Sequence, residues 1–329
     1  MKTRSIVFRQ HGAPPTVAHL ETREFAPPGP GEALVEMLFA PIHPADLNTI
    51  EGTYARKPPL EHGAVPGGEG VGRVAGIGAA VEGLELGQPV LLPSGIGTWC
   101  EACVVPVDRL VPAPPEVPLE QAAMLRVNPA TAFRMLADFE ALQPGDWVLQ
   151  NAANSAVGRA VIQIARHQGL RTLNVVRRLE LVDELRAIGG DAVLLEGEDL
   201  ERQIPAACDG APLRLALNAV GGESALRLAK ALAPGGTLVT YGAMARQPLR
   251  IPNALLIFRD LCCRGFWMTR WYEQARAEAV VALFGALFSL ARQGILHTPV
   301  EKVFPLEQIE AALIQAAGSR RSGKILLRP

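Results

Sequence analysis

The residues best suited to chemistry lie between Trp147 and Arg178, where an apolar run at Trp147 to Leu149 meets a turn of small side chains. Beyond the turn, Val157, Val161, Ile164 and Ala165 recur at i, i+4, i+7 and i+8, the spacing of one buried helix face, and Leu173 to Val176 reads as a second strand. The turn itself, Ala153, Asn154, Ser155, Ala156, Val157 and Gly158, is a degenerate G-x-G-x-x-G. Alanine and serine hold its first two glycine positions, and only Gly158 survives. Small residues still let backbone approach a pyrophosphate at the helix N-terminus, where unpaired N–H groups and the helix dipole favour anions. After the second strand come Arg177 and Arg178, with no acid from Thr172 to Arg178. A site for NAD wants a carboxylate on the ribose 2′-hydroxyl, whereas a site for NADP wants cations around a 2′-phosphate. The pair therefore predicts NADPH. Two arginines at a strand end are by themselves an ordinary solvated surface; the agreement of strand, turn, helix and charge carries the assignment.

These residues must be positioned by a larger frame, and the chain changes texture along its length. Residues 1–121 are punctuated by Gly and Pro and carry short runs such as Ala33 to Leu38, Val71 to Ile77 and Gln88 to Leu92, which predict a β-rich barrel or sandwich. From Leu119 the pattern turns helical and then alternates strand and helix; Leu215 to Ala219 and Leu238 to Tyr241 continue the series. Such alternation predicts an α/β fold with a doubly wound parallel sheet covered on both faces. A helix is expected over residues 272–292, and late strands at Val300 to Phe304 and Lys324 to Leu327 are expected to rejoin the first domain. The expected division is 1–121 plus 271–329 for the β-rich domain and 122–270 for the dinucleotide-binding domain.

Composition narrows the classes further. Thirty-two basic against thirty-three acidic side chains leave a formal charge of -1, so no overall basic field recruits nucleic acid or an anionic membrane. No segment approaches the roughly 18 uninterrupted apolar residues of a spanning helix. The N-terminus lacks an apolar leader and passes at once into a strand, which makes cytoplasm the expected compartment. The five cysteines, at 100, 103, 208, 262 and 263, form no disulfide framework. Cys100 and Cys103 are the sole C-x-x-C, without the second pair that a structural zinc needs, so no metal is expected there.

Several strings resemble the medium-chain dehydrogenase/reductase superfamily, and within it the zinc-free 2-enoyl thioester reductases of the mitochondrial type. They are Ala40 to Ile42, Asp46 to Asn48, Ile50 to Tyr54, Val127 to Ala132, Gln150 to Ser155, Thr172 to Arg177, Thr240 to Met244 and Arg264 to Trp267, and they span nearly the whole chain. The resemblance implies a Rossmann domain with a β-rich, GroES-like catalytic domain. It places the family's catalytic tyrosine on Tyr54. Its cofactor contacts fall on Asn128, on Asn154, Ser155, Ala156, Val157 and Gly158, and on Arg177 with Arg178 beside it. Further contacts fall on Tyr241, Gly242, Ala243 and Met244, on Phe266, Trp267 and Met268, and on or beside Lys324. This chain departs from the family in carrying Ala156 for a glycine and Leu179 for a second arginine. The superfamily's zinc enzymes would need a metal-binding imidazole where Gly67 to Gly70 stand, so His43 is left as a pocket residue or a packed polar one.

The implied chemistry is reduction of the 2,3 double bond of a trans-2-enoyl thioester, carried by CoA or acyl carrier protein. NADPH supplies hydride, and the protein supplies orientation and electrostatics. A tyrosine hydroxyl can act as general acid or as donor to an enolate oxygen, which is the role expected of Tyr54. Judged without its neighbours, Tyr54 is equally an ordinary half-buried loop tyrosine. Trp267 offers a flat wall and an indole N–H beside the nicotinamide or substrate, with a core or interface position as the alternative. Arg4, Arg9, Arg320 and Arg321 are candidate carrier-binding charges, or scattered surface arginines. The strand near Leu261 to Trp267 could pair edge to edge in a homodimer. Two other functions fit the same scaffold: a zinc-free quinone or enone reductase, and a non-catalytic nucleotide-binding protein.

Overall fold

In the computed structural model, which describes every residue except 319 and 320, the Gly- and Pro-punctuated N-terminal third forms short strands. They are β1 (Lys2–Phe8), β2 (Ala18–Glu24), β3 (Glu32–Pro41), β4 (Val71–Ile77), β5 (Pro89–Leu91), β6 (Ala102–Pro106) and β7 (Val111–Pro112). The alternating segment supplies β8 (Trp147–Gln150), β9 (Arg171–Val176), β10 (Ala192–Leu195), β11 (Leu215–Asn218), β12 (Thr237–Thr240) and β13 (Cys262–Gly265). The C-terminal end adds β14 (Val300–Pro305) and β15 (Lys324–Arg328). Of the candidate carrier-binding charges, Arg320 lies outside the described residues.

The chain divides into two units, Met1–Val127 with Val281–Pro329, and Asn128–Val280. In the first, β14 and β15 join β3, β4, β5 and β7 in one sheet, with β6 paired to β3, while β1 and β2 form a separate antiparallel pair. Its core is built on Ile6, Phe8, Val35, Ile42, Ile50, Leu92, Trp99, Leu313 and Ile325. In the second, all strands run parallel in the order β10-β9-β8-β11-β12-β13, the doubly wound arrangement that the strand and helix alternation predicts. β8 and β11 are buried at every position, as a parallel sheet covered on both faces demands.

Three boundaries differ from the expectation. The first unit runs to Val127 rather than 121, because Gln121 exchanges hydrogen bonds with Thr298 and the Val127 N–H donates to Glu69 at 2.8 Å. The second unit runs to Val280 rather than 270, because the Met268–Gln274 helix packs within it, the Arg134 guanidinium lying 4.7 Å over the Trp271 ring. The single helix expected over 272–292 is two helices, Met268–Gln274 and Ala277–Arg292, separated where Ala275 turns extended.

Candidate functional site

The sheet of the second unit supplies the setting. From β8 the chain moves outward to β9 and β10, then returns to β11 on the other flank, so the loops at the carboxyl ends of β8 and β11 diverge. Ligands of open α/β sheets bind at such a switch point. The small-residue turn leaves β8 here and opens the Ala156–His167 helix, whose N-cap Ser155 accepts a hydrogen bond from the Gly158 N–H at 3.1 Å. A Cβ on Gly158 would lie 2.5 Å from the Ala153 carbonyl oxygen, which is why this glycine survives where the others are replaced. The turn is braced from behind: Arg159, 7% exposed, donates to the Asn154 carbonyl at 3.2 Å and pairs with Glu184.

A buried amide ladder fixes the neighbouring strand ends. Asn151 donates to Asn218 at 2.8 Å and to Ser224 at 3.0 Å, and accepts from the Ala219 N–H at 2.8 Å. Asn218 in turn donates to Thr240 at 3.2 Å, tying β8, β11 and β12 together at their carboxyl ends. The loop after β12 folds back onto this ladder, the Tyr241 N–H donating to Asn218 and the Met244 N–H to Ala219. Tyr241 to Met244 therefore share one sheet edge with the turn.

Two polar groups here are left wanting. The Tyr241 hydroxyl is buried without a partner of good geometry; burial pushes its phenol well up, and the Ser155 side chain offsets this only in part. Asn128, first residue of the Asn128–Asp138 helix and 7% exposed, has an unpartnered Nδ2. Buried groups without partners are rare in folded proteins and point to a ligand or water. Arg177 is exposed just past β9 and forms no ion pair among the described residues, whereas Arg178 pairs with Glu180 at 3.3 Å and Leu179 is 70% exposed. A close-approach glycine, two wanting polar groups and an open guanidinium fit a dinucleotide carrying a 2′-phosphate. Phe266 and Trp267 follow β13, Phe266 edge-on to Phe139 at 5.8 Å, and Met268 is buried.

Tyr54 and Lys324 belong to the first unit. Tyr54 is half-buried one turn beyond the Pro44–Glu51 helix; Gly52 ends that helix in the left-handed region, and the Asn48 carbonyl accepts from the N–H groups of Thr53 and Tyr54. A Cβ at Gly52 would strike the His11 ring at 2.7 Å, so this turn tolerates little change. Lys324 is 6% exposed; its ammonium donates to His43 Nδ1 at 2.8 Å, and His43 Nε2 lies 2.6 Å from Glu69 Oε1. His43 is thus a packed polar residue, and both ring nitrogens are engaged. No group of three His, Cys, Asp or Glu among the described residues could hold a metal ion.

Sequence reading missed Arg159, the Asn151 and Asn218 ladder, and the Lys324, His43 and Glu69 chain. Asparagines at the ends of apolar strands were the available signal for the ladder. Nothing in the sequence joins residues 43, 69 and 324.

Residues 29–115 match the alcohol dehydrogenase GroES-like domain family and residues 156–285 the zinc-binding dehydrogenase family. Fold and site together define a medium-chain dehydrogenase/reductase. Within that class, the chain is 45% identical over 316 residues to the mitochondrial enoyl-[acyl-carrier-protein] reductase of Rattus norvegicus, covering 94% of this chain and 84% of the relative. It belongs to the enoyl-[acyl-carrier-protein] reductase family. Among solved structures, the complex of Candida tropicalis Etr1p with NADP and crotonyl-CoA matches with a TM-score of 0.90 and 26% identity over the whole of both chains. A Bacillus thuringiensis protein provisionally called an NADPH:quinone reductase matches with a TM-score of 0.93 and 28% identity, over 100% of this chain and 99% of that one.

The cytoplasmic expectation is overturned by the same comparison, since relatives covering 94–95% of the chain are mitochondrial. An organellar address is not an apolar segment, so the lack of one carried no information on compartment.

Proposed function

We propose that this protein uses NADPH to reduce the 2,3 double bond of trans-2-enoyl thioesters, with Tyr54 assisting protonation. The reductase activity and the cofactor follow from the family, and the observation that carries them is the 45% identity to an enoyl-[acyl-carrier-protein] reductase along 94% of the chain. Bound NADPH supplies the hydride that arrives at the β-carbon. The protein's own residues do the rest. Ser155 and the N–H groups of the turn would hold the pyrophosphate, Arg177 the 2′-phosphate, and Asn128 and Tyr241 polar groups of the dinucleotide, with Arg178 as a second cation. The remaining backbone of the Asn154 to Gly158 turn and of Gly242 to Met244 lines the same strand ends, and Phe266, Trp267 and Met268 supply an apolar wall at β13. Hydride addition leaves an enolate whose oxygen gathers charge, and the Tyr54 phenol donates to it while the α-carbon takes up a proton.

The decisive experiment follows NADPH and NADH oxidation with crotonyl-CoA, longer 2-enoyl-CoA esters, enoyl-acyl carrier protein and a quinone at matched concentrations. Fastest turnover of an enoyl thioester with NADPH is expected. Preference for the quinone would favour the second reading, which the Bacillus thuringiensis structure supports. The carrier, CoA or acyl carrier protein, is read from the same panel. Carrier-binding roles for Arg4 and Arg9 lose support, because Arg4 is engaged by Glu101 and Glu307 and Arg9 by Glu21.

We further propose a homodimer. β13 is an edge strand exposed at all four positions, and the Asn253–Arg259 helix before it leaves Ile257 69% and Phe258 82% exposed. An unpaired edge next to bare apolar side chains is a template for a second copy.

A further inference from the structure

Four buried titratable groups of the first unit have no part in the chemistry above. His43 is 3% exposed, Asp46 6%, Glu69 0% and Lys324 6%, and they come from three separate stretches of chain. Glu69 precedes β4 and is locked by the Val127 N–H on Oε2 at 2.8 Å and by His43 on Oε1. Lys324 opens β15 and reaches His43 Nδ1 and the Ile42 carbonyl. An ammonium has hydrogens only to give, so Nδ1 must accept; the imidazole proton then sits on Nε2 and is donated to Glu69. A single cation on Lys324 therefore dictates the tautomer and direction of the whole chain.

His43 also anchors a helix through its backbone. His43 is the N-cap of the Pro44–Glu51 helix, its backbone N–H donating to Asp46 Oδ2 at 2.7 Å. The far end of the same eight-residue helix holds the Tyr54 backbone through the Asn48 carbonyl. We propose that Lys324, His43 and Glu69 are positioning residues that fix the Pro44–Glu51 helix, and with it Tyr54, only while Lys324 carries its proton. All three side chains are engaged with one another, and the proposed action is through the helix. The proposal rests on the role given to Tyr54 above.

The groups facing Lys324 are His43 and Asp46 from the helix, Glu69 from the approach to β4, and Arg321 from the loop before β15. Burial lowers the Lys324 ammonium to about 8, with Arg321 acting the same way, while Glu69 and Asp46 oppose the fall. Deprotonation leaves a neutral amine that can accept as well as donate, so Nδ1 is no longer held as an acceptor and both tautomers of the imidazole become allowed. The expected pH profile of kcat, at saturating NADPH and crotonyl-CoA, thus falls above about pH 8. Lys324→Met should lower kcat at neutral pH by about 10- to 100-fold, the cost of a misplaced catalytic group, and abolish that alkaline fall. Glu69→Gln removes a carboxylate that stabilises the ammonium, so the fall should move to lower pH; NADPH affinity and the melting curve of this variant check that it is folded. Nitrogen-15 NMR of His43 should show the Nε2-protonated tautomer at pH 7 in the wild type and a mixture in Lys324→Met. An Nδ1-protonated His43, or an alkaline fall unmoved in both variants, overturns the proposal. The NMR result needs no turnover, so it still decides the tautomer if enoyl thioesters prove not to be substrates.

Discussion

The roles proposed for Tyr54 and Arg177 separate the chemistry from the choice of cofactor. The hydroxyl of Tyr54 is asked only to donate to developing negative charge, so Tyr54→Phe should lower kcat with crotonyl-CoA by about 10²–10⁴-fold, the usual worth of a general acid. NADPH affinity, measured by fluorescence titration, should stay as in the wild type, because Tyr54 lies outside the dinucleotide-binding unit. Arg177 is the complementary case. Its guanidinium forms no ion pair among the described residues, so Arg177→Ala should weaken NADPH by about 10- to 100-fold, the worth of a charged hydrogen bond of roughly 1.5–3 kcal/mol, and leave NADH nearly unchanged. Equal loss for both cofactors would move the 2′-phosphate elsewhere, with Arg178 next in line once freed from Glu180. Both candidates come from the sequence, Arg177 from its place after a strand without acids and Tyr54 from the string around it. The Lys324, His43 and Glu69 chain was not, since a hydrogen bond across 281 positions has no local signature.

The turn after β8 shows what an element adds to its residues. A degenerate glycine motif reads as weak, yet the geometry shows why one glycine suffices: only Gly158 faces backbone, with the Ala153 carbonyl oxygen 2.5 Å from where its Cβ would be. Gly158→Ala must shift either the helix or the turn. Overpacking of this kind costs about 1–3 kcal/mol, and a urea melt should show it as a lower midpoint. Because the shift displaces the helix N-terminus, NADPH and NADH should weaken together, unlike the split expected for Arg177→Ala. The Ala156–His167 helix also exceeds its pattern. Its periodicity marks one buried face, but Arg159 and Gln163 are buried as well, Arg159 pairing with Glu184 of the Leu181–Ala187 helix. Apolar spacing reports the face against a sheet; a polar side chain buried by a second helix leaves no such mark.

At the scale of the whole molecule, the bare edge of the six-stranded sheet is the surface on which the proposed dimer is tested. Phe258→Glu places a charge on the most exposed apolar side chain beside β13, and light scattering behind a sizing column should show a shift from dimer toward monomer with NADPH binding retained. A wild-type monomer would refute the interface outright. By itself, the sequence determined the two-part architecture, the parallel sheet and the small-residue turn after its first strand, and it offered the turn and Arg177 as the candidate contacts of NADPH. These follow from periodicity, punctuation and charge, which are properties of neighbouring residues. Only the tertiary structure decided where the units divide, that the strand ends are cross-braced by buried amides, and that Lys324 spends its ammonium on His43. Those outcomes depend on which distant side chains are desolvated together, and desolvation is a property of the packed interior rather than of any stretch of chain.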